Sequence, residues 1–375
     1  MAVQTPTSLE KKFQAYLEGI KDDLREGIEG VIQSFNVEAL AKRASSVMGK
    51  QYMAISPIAQ GGHNSVFIVT FDDGTDVLVR VAGSCHNAPL SDELAKLVFD
   101  SELATLKYLE ANISIPIPKV YYSNSDPEVA GARFMIMQRL NGVNLEHSWY
   151  DMSDEERQHV VAQWAPMHAE LSNQTFKAIG CFTQSGSVGP LLPSSTAPYF
   201  LRKPHWGPFR STPEFLEGHV RSALHGLAAD SENRNFLERL LVTICALPAE
   251  KFHNERFVLS HGDLNAANIL HTPPSNIVGI IDWQGSSILP VWATSQQSDF
   301  LCGLRNEVAL RGMLQPTTED DATLPVALHP ILMELLSLAT GNGGDQRLQN
   351  LHAHIDKLAG SFTWLSDPLL SLLEE

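Results

Sequence analysis

The chain is poor in cysteine. Its 375 residues hold four, Cys85, Cys181, Cys245 and Cys302, each 57 or more positions from the next and none in a CxxC pair. That usage excludes a disulfide framework and a zinc ribbon, and it predicts reduced thiols in a reducing compartment. No run of 18 apolar residues occurs, so no membrane-spanning helix is expected. The opening stretch, MAVQTPTSLEKKFQAYLEGIKDD, lacks a basic segment followed by an apolar one, and Glu10, Glu18, Asp22 and Asp23 argue against a transit peptide. A soluble, cytoplasmic protein is the expectation. Bases are scarce too. Against 43 Asp and Glu stand 27 Lys and Arg, a formal charge of −16 that repels phosphate backbones and anionic headgroups. Neither nucleic acid nor membrane is an expected partner.

What is present is an ordinary globular composition: 43% hydrophobic residues, 8% aromatics, 25 Gly and 21 Pro, which exclude collagen, coiled coil and wholesale disorder. At roughly 150 residues per domain, the length predicts two or three domains or one large two-lobed unit. Residues 1–50 read as a helical segment. Phe13, Leu17 and Ile20 keep helical spacing, and Asn36 is an N-cap candidate for VEALAKRASSVM, which stops at Gly49.

The texture changes at Met53. Three β-rich runs follow, at about 54–59, 65–71 and 76–81, the first two joined by Gln60 to Asn64 and the last two by the hairpin turn Asp72-Asp73-Gly74-Thr75. Leu94, Leu97, Val98, Leu103, Leu106 and Leu109 predict a helix over 91–110. IPIPKVYYS must be extended, because a residue before proline is biased away from α. RFMIMQRL, 133–140, reads as a short buried strand before the turn Asn141-Gly142. The first 140 residues thus hold about five strands and one main helix.

Beyond residue 141 the pattern is mainly helical. Ser153 with Glu156 forms a capping box for a helix through 171, and further helices are expected over 212–226 and 231–247 and beyond 295. Residues 183–214 carry six prolines with Tyr199, Phe200, Trp206 and Phe209 between them, which predicts a long loop. No internal repeat is present.

The chemistry concentrates in FVLSHGDLNAANILHTPPSNIVGIIDWQGSS, residues 257–287. Strands are expected over 257–260, 268–271 and 277–281, the last two joined by a Pro-Pro-Ser-Asn turn. Asp263, Asn268 and Asp282 then sit at strand edges, where side chains reach a rim rather than a core. Two carboxylates and an amide are all-oxygen ligands, which suit Mg²⁺ and fit zinc poorly.

HGDxxxxN followed by a hydrophobic strand ending in IDW resembles the aminoglycoside phosphotransferase and choline kinase superfamily, relatives of protein kinases. IIDWQGSSILPVW is also similar to a fungal branch that includes altered-inheritance-of-mitochondria proteins, over about residues 36–370. The resemblance implies an α+β, two-lobed protein-kinase-like fold. Its nucleotide-binding lobe, 51–140, would hold a five-stranded antiparallel sheet and one main helix, and its larger helical lobe, 141–375, the catalytic loop and metal site, with ATP held between them. It implies Asp263 as catalytic base, Asn268 and Asp282 as Mg²⁺ ligands, and His261 as a brace of the loop.

The same resemblance places Gly61, Gly62, His63, Asn64 and Ser65 in a phosphate-covering loop, where glycines let backbone N–H groups approach phosphate oxygens. This chain lacks a full GxGxxG. It also departs from the pattern at VLVRVAG, where Arg80 stands in place of the lysine that reaches the α- and β-phosphates; arginine keeps the charge but offers a longer fork. Glu102 matches the helix glutamate that pairs with that base, with Glu93 as competitor. Backbone groups of Gln138, Arg139 and Leu140 would meet adenine at the hinge. Trp283 is expected to pack beside the metal site, and 183–214 either walls the acceptor pocket or packs on the surface.

Taken together, these residues predict an ATP- and Mg²⁺-dependent kinase acting on a hydroxyl of a small-molecule acceptor, since phosphoryl transfer asks chiefly for positioning and charge neutralisation. The alternative is a nucleotide-binding pseudokinase or scaffold, which Arg80 favours and the intact Asp263, Asn268 and Asp282 oppose. A protein kinase ranks third because no APE-terminated activation segment follows Asn268. A metal hydrolase ranks last, for want of a second histidine at ligand spacing.

Overall fold

Alternation of apolar and polar residues over 64–71 and 76–82 dictates a hairpin with one face turned inward. The computed structural model, which describes residues 36–60, 64–83, 91–192, 205–226, 233–247, 252 and 254–294, carries that hairpin. The described residues form two units: 36–111 with 116–142, and 112–115 with 143–294.

The first unit begins with helix α1 (Val37–Met48), capped as its sequence requires. Asn36 Oδ1 accepts from Ala39 N–H at 2.9 Å, and Gly49 at φ 66 closes the other end in the left-handed region. Strands β1 (Tyr52–Gln60), β2 (Asn64–Phe71) and β3 (Asp76–Ala82) follow, then helix α2 (Asp92–Asn112) and strands β4 (Val120–Asn124) and β5 (Phe134–Met137). They make one antiparallel sheet in the order β1-β2-β3-β5-β4. At the β2–β3 turn, Gly74 takes φ 80 and Asp73 Oδ1 accepts from Thr75 N–H at 3.0 Å.

Phe67, Val69 and Phe71 of β2 and Val77, Val79 and Val81 of β3 fill the inner face, and Leu40, Ala41 and Ala44 of α1 lie in that same core. Each large side chain so buried contributes roughly 1.5–3 kcal/mol. Helix α1 is therefore part of this unit rather than of a segment apart from it. Residues 1–35, with the expected helix around Phe13, lie outside the described residues.

The second unit holds β6 (Val143–Asn144), helix α3 (Asp154–Asn173), β7 (Thr175–Phe176), helices α4 (Thr212–Gly226) and α5 (Asn233–Cys245), and strands β8 (Phe257–Ser260), β9 (Ile269–Thr272), β10 (Asn276–Ile280) and β11 (Ser287–Pro290). The Ser153 capping box forms: Ser153 Oγ accepts from Glu156 N–H, and Glu156 accepts from Ser153 N–H. Two small antiparallel sheets, β10-β9-β6 and β11-β8-β7, carry the segment 257–287.

Helix α3 clamps the β9–β10 hairpin. Gln163 donates Nε2–H to the Ser275 carbonyl at 2.9 Å and accepts from Ile277 N–H at 3.0 Å, so one amide completes two backbone groups at the turn. The stretch expected to be a long loop is partly paired, through bridges Phe182 to Val188 and Ile179 to Phe209, and Gly180 extends the pairing to Ile288 of β11. The helical texture beyond residue 295 lies outside the described residues. Among the described residues no helix is long and apolar enough to cross a membrane.

Candidate active site

Strand β8 ends at Ser260 and the chain turns at once. Gly262 makes the turn at φ +87, and a Cβ there would meet the Gly285 carbonyl oxygen at 2.6 Å, so both conformation and space require glycine. His261, buried, reaches across to the far side of the hairpin: its Nε2–H donates to the Ile281 carbonyl at 2.9 Å, while Nδ1 faces Asp263 N–H at 3.4 Å. Its ring lies 4.5 Å from that of Trp283, which is also buried and donates Nε1–H to the Ile280 carbonyl. Burial pushes the His261 imidazole below its usual pKa, against the opposing pull of the Ile281 hydrogen bond and the charges of Asp282 and Asp263. It is thus a neutral brace holding the loop to the end of β10. Trp283 packs on this brace.

The loop residues are wired to one another. Asn265 Nδ2–H donates to Asp263 Oδ1 at 3.1 Å, and its own Oδ1 accepts from Ala267 N–H at 2.8 Å, capping the 3₁₀ turn Ala266–Asn268. Asn268 Nδ2–H donates to the Asp263 carbonyl at 2.8 Å and lies 3.5 Å from Asp263 Oδ2. Its own carbonyl accepts from Ile281 N–H at 2.9 Å, one residue before Asp282. Asn144 of β6 donates its side-chain N–H to the Ala267 carbonyl, fastening the loop from a third element. Asp282 is exposed and sits at φ 59, the one non-glycine residue with positive φ among those described. A carboxylate held there points to a functional constraint on the backbone.

This donor set fits Mg²⁺. Because Asn268 Nδ2 is committed to a carbonyl, its amide orientation is fixed, and its Oδ1 is an oxygen of the kind that, with a carboxylate such as Asp282, would suit the ion. Among the described residues no three His, Cys, Asp or Glu side chains gather as a metal cluster, so the zinc-hydrolase reading has no ligand set there.

In the first unit, Arg80 on β3 meets Glu102 on α2. Arg80 Nη1 lies 2.6 and 2.5 Å from the two carboxylate oxygens, with side chains 12% and 4% exposed. Glu93, the competitor, is exposed in the first turn of α2. Asn64 and Ser65 open β2 opposite Ala82 and Val81; Gly61, Gly62 and His63 lie outside the described residues. Gln138 donates its N–H to the Lys119 carbonyl at 2.8 Å, Leu140 is half-buried, and Met135 and Met137 are core residues of β5. Asn265, Asn144 and Gly285 escaped the sequence reading. Only Asn265 left a signal, as an Asx residue two positions before a backbone N–H that it caps.

The family model described as the phosphotransferase enzyme family matches residues 54–293. A subtelomeric hrmA-associated cluster protein of Aspergillus fumigatus is 24% identical over 63% of this chain and 58% of its own length. Altered inheritance of mitochondria protein 9, mitochondrial, of Lodderomyces elongisporus is 24% identical over 39% of this chain and 24% of its own. The chain thus spans under three fifths of the length of the Aspergillus relative. Among solved structures, the GDP complex of a mutant aminoglycoside 2'-phosphotransferase superposes with TM-score 0.50 at 17% identity, covering 90% of this chain and 97% of that one. The fold is kinase-like, with an antiparallel five-stranded sheet in one unit and mixed α/β content in the other, and the chain belongs to the phosphotransferase enzyme family.

Proposed function

We propose that the chain is an ATP- and Mg²⁺-dependent kinase that transfers the γ-phosphoryl group to a hydroxyl of a small molecule, with Asp263 as catalytic base. The observation that carries this reading is the 261–268 loop, in which Asp263 and Asn268 are hydrogen-bonded together and tied through the Ile281 backbone to the residue before Asp282. Asp263 accepts the proton of the acceptor hydroxyl, and its carboxylate is aimed by Asn265. Asn268 and Asp282 would hold Mg²⁺, which when bound neutralises charge on the transferring group.

His261 keeps the loop at a fixed distance from β10 without carrying charge. Arg80, oriented by Glu102, offers its fork to phosphate oxygens, and Asn64 and Ser65 would stand at the edge of the phosphate-covering loop. Because the Gln138 N–H is taken by Lys119, adenine recognition at the hinge falls to the Gln138 carbonyl and to the backbone around Leu140.

A second reading, a nucleotide-binding protein without turnover, is favoured by Arg80 in the lysine position. The two separate in an ADP-release screen over pooled cell metabolites, with mass spectrometry watching for the gain of one phosphoryl group. The kinase reading predicts acceptor-dependent ADP from the wild type, and from Asp263→Asn none, with Mg·ATP still bound. ATP binding without ADP release under any acceptor supports the second reading. Failure to bind ATP overturns both.

A further inference from the structure

A chain with formal charge −16 should attract cations over most of its surface, yet one hollow in the second unit gathers two Arg and two His side chains. His205, from the segment leading into α4, Arg221, Leu224 and His225 of α4, and Arg234 of α5 line a hollow of about 410 Å³ that is open to solvent. The arginines are held by acids on their own helices, and Arg234 also by the neighbouring one. Arg221 donates Nε–H to Glu217 at 2.7 Å, and Arg234 lies 3.5 Å from Glu238 and donates Nη2–H to the Leu224 carbonyl at 3.2 Å. That last bond ties the start of α5 to the last turn of α4, so the two guanidinium groups flank one hollow.

Two arginines against Glu217 and Glu238 balance in formal charge, and the two histidines then decide the sign of the pocket. Burial holds the His205 imidazole below its usual pKa, the neighbouring Arg221 and His225 lower it further, and Glu217 pulls the other way. An oxyanion relieves that crowding of cations. Guanidinium forks and imidazole N–H groups match phosphate geometry, and the volume suits a small molecule rather than a bare ion. Leu224 adds an apolar contact that an organic ester meets and inorganic phosphate does not.

We propose that this pocket binds the phosphate group of a small organic phosphate ester. None of its residues belongs to the 261–268 loop or to the β9–β10 hairpin, so the inference stands apart from the transfer reading.

The test is equilibrium dialysis of radiolabelled sulfate against the full chain at constant ionic strength, at about pH 5.5 and 8, either side of the histidine range. Sulfate keeps its charge over that range, so any pH dependence belongs to the protein. Saturable binding is expected, tighter at the lower pH, because a bound dianion draws a proton onto His205, and weakened about tenfold or more in R221Q/R234Q. Phenyl phosphate should displace the sulfate at lower concentration than inorganic phosphate does. Should R221Q/R234Q lose its fold by circular dichroism, His205→Gln with His225→Gln decides, since it should abolish the pH dependence. The proposal is overturned if wild type shows no saturable sulfate at acid pH, if R221Q/R234Q binds like wild type, if the histidine variant keeps the full pH dependence, or if inorganic phosphate competes as well as the ester.

Discussion

Removing either partner of the Arg80–Glu102 pair should cost far more than removing both. Both oxygens of Glu102 lie within 2.6 Å of one guanidinium nitrogen, and the two side chains are only 12% and 4% exposed. At the effective dielectric that suits such sites, their attraction is about 4 kcal/mol, and most of it offsets the cost of taking both charges out of water. Glu102→Leu or Arg80→Met leaves one buried charge facing an apolar side chain, at about 3–5 kcal/mol each. Arg80→Met/Glu102→Leu leaves none, and it should cost at least about 2 kcal/mol less than the two single effects summed. Equilibrium urea unfolding with a double-mutant cycle measures this, read from midpoints at unchanged slope. Single effects below about 1 kcal/mol, or effects that simply add, would refute the reasoning, because they describe a pair screened by water.

Acid should destabilise the second unit through His219. Full burial, opposed by its hydrogen bond to the Phe215 carbonyl, holds this imidazole at about 4 against an ordinary 6.5. The unfolded chain therefore binds the extra proton first, and stability falls as pH drops below 6.5 toward 4, by up to about 3 kcal/mol. His219→Gln should flatten that part of the stability–pH curve, and an unchanged slope in denaturation series would dismiss the assignment. Gly262→Ala and Gly74→Ala share a positive φ, but only Gly262 has a carbonyl oxygen 2.6 Å from the new methyl group. Gly74→Ala should cost about 1 kcal/mol and Gly262→Ala at least twice that, with loss of turnover, as thermal unfolding and ADP release together would show.

Legibility in the sequence followed locality. The Asn36 and Ser153 caps, the Gly49 stop and the Asp72-to-Thr75 turn are set by residues within four positions of each other, and all form as the sequence predicts. The β2–β3 hairpin was legible because alternation on both strands leaves one face apolar, whereas the five-stranded antiparallel sheet around it was expected from the family resemblance. Strands β6, β7 and β11 were not, since two to four residues carry no period, and their pairing is set by partners such as His271 and Val258 far along the chain.

The site behaved alike. Asp263 and Asn268 stood out by spacing, and Glu102 by its place on α2. Asn144, which fastens Ala267 across 123 positions, and Gly285, whose carbonyl oxygen fills the space beside Gly262, have no local signature. The basic pocket was hidden for a related reason: His205, Arg221 and Arg234 come from three segments, and net charge averages over the whole chain.

The central claim is that Asn268 and Asp282 hold one divalent ion, with Asp263 as the base. Manganese titrated into the chain with a non-hydrolysable ATP analogue, followed by electron paramagnetic resonance, addresses it directly. The account predicts stoichiometric Mn²⁺ uptake by wild type and affinities lower by about tenfold or more in Asn268→Ala and Asp282→Ala, with the analogue still bound. Mn²⁺ held equally well by both variants would contradict it.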